Sequence, residues 1–194
     1  MSISLQKGQK VSLSKDNTGL SKVIVGLGWD EVQQSKGFFH KAQAIDCDAS
    51  AILLRNGKLC AKEDVIYFAN LQDRSRSVQH LGDNLTGAGE GDDEQIIVDL
   101  AKLPSEYDRI VIVVNIYQAF KRNQHFGMIQ NAFIRLVDSR NNNEMCKYNL
   151  TDNYSEMTAM IFGEIYRYNG EWKFNAIGQG TKDADIGELV HRYQ

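Results

Sequence analysis

The residues from Ser77 to Ala101 include no Lys or Arg, yet they carry Asp83, Glu90, Asp92, Asp93, Glu94 and Asp99. Within this stretch, GDNLTGAGEGDDE (82–94) sets Gly82, Gly87, Gly89 and Gly91 among carboxylates, the Asn84 amide, the Thr86 hydroxyl and main-chain carbonyls. Such a donor set suits a hard cation: calcium takes about six to eight oxygens, and glycine lets the backbone curl so that carbonyls point inward. Two carboxylates about 5 Å apart repel by about 3 kcal/mol at an effective dielectric near 20. Crowding several therefore calls for a cation, for protonation, or for side chains splayed into water. Spacing alone leaves these three open, and a solvated acidic loop explains Asp92, Asp93 and Glu94 as well as a metal does.

A second acidic pair lies upstream. In IDCDAS, Asp46 and Asp48 are two residues apart. On a strand they share a face at a spacing of about 6.5 to 7 Å, close enough to converge on one or two ions. The strand runs straight into AILL, so two unpaired carboxylates should not be buried there and must face either solvent or a cation. Asp30 ends GLGWD and is a third candidate. Gly26 and Gly28 thin the strand where backbone would approach a site, Trp29 can pack beneath it, and an ordinary strand-ending turn explains Asp30 equally well.

Other chemistries fit less well. After Asp83 an EF-hand loop would need Asp or Asn where Leu85 stands. Gly87, Gly89 and Gly91 suggest phosphate cradling, but no Lys-Ser/Thr follows and the acids after them repel phosphate unless a metal intervenes. His40, His80, His125 and His191 form no metal or base motif, and only His80 adjoins the acidic stretch. No G-x-S-x-G occurs. Cys47, Cys60 and Cys146 are odd in number and lack C-x-x-C, so neither a disulfide framework nor a zinc knuckle is expected. Each reads as a small buried hydrophobe in a reducing compartment. Lys121/Arg122 and Arg74/Arg76 read as solvated surface, with Tyr117 and Phe120 beside the first pair.

The elements that must position these acids are strands. Of 194 residues, 42% are hydrophobic, sixteen are Gly and one is Pro. Short β-branched runs punctuated by turn residues point to an all-β antiparallel sandwich with one or two short helices, read as one domain over 1–194. Strands are expected around Val11–Leu13, Val23–Trp29, 45–54, 64–70, 96–100 and 109–117, the last apolar on both faces and so central. NAFIRLVDSRNNNEMCKYNL reads as a hairpin, Asn169-Gly170 as a type I′ turn between two further strands, and DADIGELVHRY as a short helix. Residues 118–130 fit a loop or a helical turn equally. A balance of 22 Lys+Arg against 25 Asp+Glu, net −3, argues against binding to nucleic-acid backbones or anionic membranes. No apolar run approaches the roughly 18 residues of a membrane-spanning helix, and the alternating N-terminus is unlike an export signal.

At GLGWD (26–30), DCDAS (46–50), GDNLTGAGEGDDE (82–94), FG…NAFIRLVD (126–138) and GEWKFNAIGQG (170–180) the sequence resembles the TerD family of tellurium-resistance and stress proteins, in that family's order and over nearly the full length. The resemblance implies a calcium-binding β-sandwich of the bacterial cytoplasm, linked to resistance against tellurite, other chemical stress, phage and colicins. Carried over by position, it implies that Asp30, Asp46, Asp48, Asp83, Asp92, Asp93 and Glu94 hold calcium, two ions in all, with Asn84, Thr86 and the carbonyls of Gly89 and Gly91 as further donors. Cys47 stands where the family has an aliphatic residue, and strand alternation points it to the core. The resulting expectation is a non-catalytic protein whose calcium orders a docking surface for other tellurium-resistance proteins, including a membrane-bound complex at the inner membrane, with no direct nucleic-acid binding. A metal-dependent enzyme and a sensor of a cyclic nucleotide or similar small anion are the alternatives.

Overall fold

The computed structural model describes residues 2–15, 17–31, 44–82 and 91–194. Two six-stranded sheets enclose the core. The first contains, in spatial order, β1 (Ile3–Leu5), β10 (Asn143–Asn149), β9 (Ile129–Asp138), β3 (Lys22–Glu31), β7 (Glu94–Asp99) and β6 (Val78–His80). The second contains β2 (Lys10–Ser12), β12 (Glu171–Thr181), β11 (Ala159–Tyr168), β8 (Arg109–Ile116), β4 (Cys47–Leu54) and β5 (Val65–Ile66). The expected all-β sandwich is the observed architecture, with two four-residue helices, α1 (Ala119–Arg122) and α2 (Ile186–Leu189). Pairing is antiparallel throughout except where β1 runs parallel to β10.

Alternation builds the core. Val23, Val25 and Leu27 of β3 and Ile96 and Val98 of β7 face Ala49, Ala51 and Leu53 of β4 and Ile110, Ile112 and Val114 of β8. β8 is apolar on both faces because its other side is also covered. Val111 and Val113, with Ile52, Leu54 and Ile161, lie under Leu189, Ile186, Val190 and Tyr193 of the C-terminal segment. Leu189 is fully buried there, a contribution of about 1.5–3 kcal/mol. Asp185 caps α2 by accepting the Glu188 N–H at 3.0 Å.

Two expectations need correction, and one that was left open is decided. The segment 64–70 holds only a two-residue strand, because Asn70 Nδ2 donates to the Val65 carbonyl at 2.7 Å and Tyr67 and Asn70 close a turn. In the segment 118–130, left open between loop and helical turn, helical turns occur: α1 and a single turn of 3-10 helix at Phe126–Met128. Cys60 is exposed, whereas Cys47 and Cys146 are buried as expected. Cys60 follows the Arg55–Lys58 bridge and its sulfur reaches only the Lys58 carbonyl, so no core element covers it.

Candidate metal centre

Antiparallel register gathers the acids at one end of the sandwich. There β4 and β7 begin while β3, β6 and β8 end, with Cys47 opposite Ile116 and Leu27 opposite Glu94. β5 pairs with Ala51 and Ile52 of β4 and, among the described residues, comes no nearer to Ala49 on that side. Side chains from the other sheet reach Ala49. Glu94 Oε2 accepts the Ala49 N–H at 2.6 Å, and His80 Nε2 lies 3.1 Å from the Ala49 carbonyl. Because the Gly82 N–H donates to His80 Nδ1 at 3.0 Å, the ring proton belongs on Nε2, which donates to Ala49 and also lies 3.4 Å from Glu94 Oε2. Gly82 turns there with φ of 91°, a conformation that glycine adopts without strain. His80 and Glu94 thus clamp both stems of the 82–94 stretch to β4, which carries Asp48 and is preceded directly by Asp46.

Asp48 lies on the outer face of its sheet, opposite Asn115, while Cys47 and Ala49 point inward. His80, which only adjoins the acidic stretch in sequence, is buried here against the Ala49 carbonyl and Glu94. Burial lowers its pKa, but the hydrogen bond and charge of Glu94, the Ala49 carbonyl and the charge of Asp48 together raise it by more. Asp46 is exposed just before the strand. Its carbonyl accepts the Tyr117 N–H at 2.7 Å and its carboxylate is 3.8 Å from Arg122, which stacks on the Tyr117 ring.

The remaining acids group around β3. The Asp93 N–H donates to the Leu27 carbonyl and Asp93 Oδ2 accepts the Trp29 N–H, both at 2.7 Å. Burial raises the Asp93 pKa, the Trp29 N–H opposes this, and the charges of Asp30 and Asp92 raise it further. Asp30 follows a bulge in β3, is exposed, and accepts a 2.8 Å bond from Asn131 Nδ2. Asn131 has φ of 55°, a left-handed conformation inside β9. Asp92 is already engaged: Arg135 grips it through Nε at 2.7 Å and Nη2 at 3.0 Å, Gln95 adds a bond at 2.9 Å, and the side chain is 1% exposed. The two strand glycines admit these neighbours. A Cβ on Gly26 would strike the Asp92 carboxylate, and one on Gly28 would lie 2.5 Å from the Phe133 ring and 3.1 Å from the Gly91 carbonyl.

Asp30 and Asp93 open onto a cleft of about 760 Å³ whose lining includes Trp29, Gly91, Asn131, Phe133, Lys147, Asn149 and Thr151. Asp30 and Asp93 therefore share one cleft, while Asp46 and Asp48 stand at the start of β4, the strand whose Ala49 backbone Glu94 and His80 bond. Their donors are oxygens only, which matches calcium rather than a soft metal, and the buried thiols of Cys47 and Cys146 belong to the core. Among the described residues, no three His, Cys, Asp or Glu side chains come together in a way that could hold a metal. Asp83, Asn84, Thr86 and Gly89 lie outside the described residues.

Comparison with known proteins adds a second line of observation. Residues 1–193 match the TerD domain. The chain is 55% identical over 198 residues to the stress response protein SCP2 of Bacillus subtilis (strain 168), spanning 100% of both chains. It is 50% identical over 181 residues to the tellurium resistance protein TerD of Serratia marcescens, covering 93% of this chain and 91% of that one. Among solved structures, a homologue of telluride resistance protein (TerD) from Streptomyces coelicolor A3(2) superposes with a TM-score of 0.65 at 20% identity, over 91% of this chain and 99% of that one. At that identity the likeness concerns the fold.

Proposed function

This chain belongs to the TerD family, and from that membership and its acidic end we propose that it is a non-catalytic calcium-binding stress protein contributing to resistance against tellurite and related insults. The observation that carries the reading is the Glu94–Ala49–His80 clamp, which ties β4, with Asp48 in it and Asp46 just before it, to both stems of the glycine-rich acidic stretch. Two calcium ions are proposed, one toward Asp30 and Asp93 and one toward Asp46 and Asp48. Asp83, Asn84, Thr86 and the carbonyls of Gly89 and Gly91 supply further oxygens. Asp92 and Glu94, bonded within the protein, hold the stem in place. Calcium relieves the repulsion among these acids and orders a docking surface for other tellurium-resistance proteins, including a membrane-bound partner, in the cytoplasm. Relatives bearing stress and tellurium-resistance names support this direction. Among the described residues no helix is long and apolar enough to cross a membrane.

A ligand that binds only the folded state stabilises it by about 2.7 kcal/mol at a hundredfold excess over Kd. Titrating calcium into chelated protein should therefore raise the melting temperature and give a calorimetric stoichiometry of two. Asp46→Asn with Asp48→Asn should remove one of the two ions. A melting temperature unmoved by millimolar calcium would overturn the proposal.

A further inference from the structure

The apolar stripe on the outer face of the second sheet stops at two polar residues. Ile52 and Leu54 of β4 and Val111 and Val113 of β8 pack under the C-terminal segment. Two positions nearer the acidic end of each strand, the same face carries Ser50 and Asn115. Both are buried, with exposures of 1% and 5%. A strand covered on both faces favours β-branched apolar residues at such positions, and the chain departs from that pattern twice in one place. Among the described residues, neither Ser50 Oγ nor Asn115 Oδ1 has a hydrogen-bond partner. A buried oxygen of this kind costs stability, because it has lost water and gained no donor.

These oxygens adjoin Asp48. Asn115 is directly opposite Asp48 in the strand register, and Ser50 follows Asp48 by two residues on the same face. Side chains so related stand about 4.5–5.5 Å apart across strands and about 6.5–7 Å apart along one. That spacing lets three oxygens converge on one cation at bonds of about 2.3–2.6 Å. Neither Ser nor Asn carries charge, so both enlarge the oxygen set without the repulsion that another carboxylate beside Asp48 would add. We propose that Ser50 Oγ and Asn115 Oδ1 are ligands of the cation at Asp48, which seats that ion against the outer face of the β4–β8 pair. The proposal rests on the calcium reading and deepens it, naming two neutral donors that lie outside the glycine-rich stretch. The competing role for Asn115 is as a donor, its Nδ2 holding the Asp48 carboxylate with no ion between them.

The test compares the full chain with its variants by melting temperature in calcium-free buffer and by calorimetric calcium titration. Ser50→Ala and Asn115→Leu each remove an oxygen that lacks a donor, so without calcium they should melt no lower than the parent. Each should nonetheless weaken one calcium site by about tenfold or more. Lost affinity with undiminished stability separates a ligand from a residue that merely supports the strand, and a fall in both would overturn the proposal. Asn115→Asp keeps an oxygen and loses the amide donor. It should melt below the parent without calcium, since two carboxylates then face each other, and should gain more than the parent when calcium is added. If Asn115→Asp instead abolishes that site, Asn115 acts as a donor to Asp48 and the assignment fails. If the parent binds calcium and Ser50→Ala and Asn115→Leu bind it equally tightly, the two ligands are refuted while the calcium reading stands. If the parent does not bind calcium at all, both fall together.

Discussion

Asp93 shows how one side chain reports on its neighbourhood. Burial and the nearby charges of Asp30 and Asp92 raise its pKa, so the folded protein holds this proton more tightly than the unfolded chain does. In metal-free protein, Asp93 therefore favours folding below the ordinary carboxylate pKa, and that contribution is lost as pH rises through the raised value. A carbon-13 NMR titration should find Asp93 above the usual range, and Asp30→Asn should bring it part of the way down, since burial remains. Cysteine accessibility gives a second test at this scale. Burial, and then the charge of Glu144, push the Cys146 thiol up to about 12, Cys47 is buried, and Cys60 is exposed. One thiol should react quickly with a disulfide reagent in the native protein, with the other two reacting only on unfolding. The candidate acids were readable from composition, because a run of acids without bases is visible in one dimension. That Asp92 is held by Arg135, 43 residues away, was not, because an ion pair across strands depends on register.

Strand ends and turns are the elements that place those side chains. Asn169 and Gly170 adopt φ of 51° and 77°, the turn expected from the sequence, because left-handed backbone at two successive positions suits Asn-Gly. Gly170→Val should cost roughly 1–2 kcal/mol in chemical denaturation without disturbing the acidic end. The clamp makes a sharper prediction. Removing the Glu94 carboxylate strands the buried Ala49 N–H, so Glu94→Ala in calcium-free buffer should lose about 1–3 kcal/mol. Hydrogen exchange should speed up at Ala49 before the middle of β4, and equal protection along the strand would refute the clamp. Long strands such as β3, β8 and β9 were legible because several alternations reinforce one another. β1 and β6, three residues each, show too little of a period to be recognised, and they exist because a neighbouring strand offers unpaired backbone groups.

On the scale of the whole molecule, the two ends of the sandwich do different work. Opposite the acids, Tyr107 donates to Asp64 at 2.6 Å and receives Arg55 at 2.8 Å, in a network that ties β4 to the segment before β8. Asp64 is 3% exposed, so Tyr107→Phe should cost about 1–3 kcal/mol of stability. Calcium affinity should stay unchanged, since sites this far apart without shared partners behave additively. An equal loss of calcium affinity would mean that the acidic end depends on the whole sandwich rather than on its own clamp.

Amino-acid order by itself determined the all-β character, the central place of β8, the turn at Asn169-Gly170 and the pool of oxygen donors, because alternation, backbone stereochemistry and charge are local properties. Only the tertiary structure decided which acids meet. Asp30 joins Asp93 across a bulge, Asp92 goes to Arg135, and Glu94 and His80 bond the Ala49 backbone of β4 in the other sheet. Those pairings depend on strand order and on how far β5 extends along β4, which are set by the packing of two sheets and leave no periodic trace in the chain.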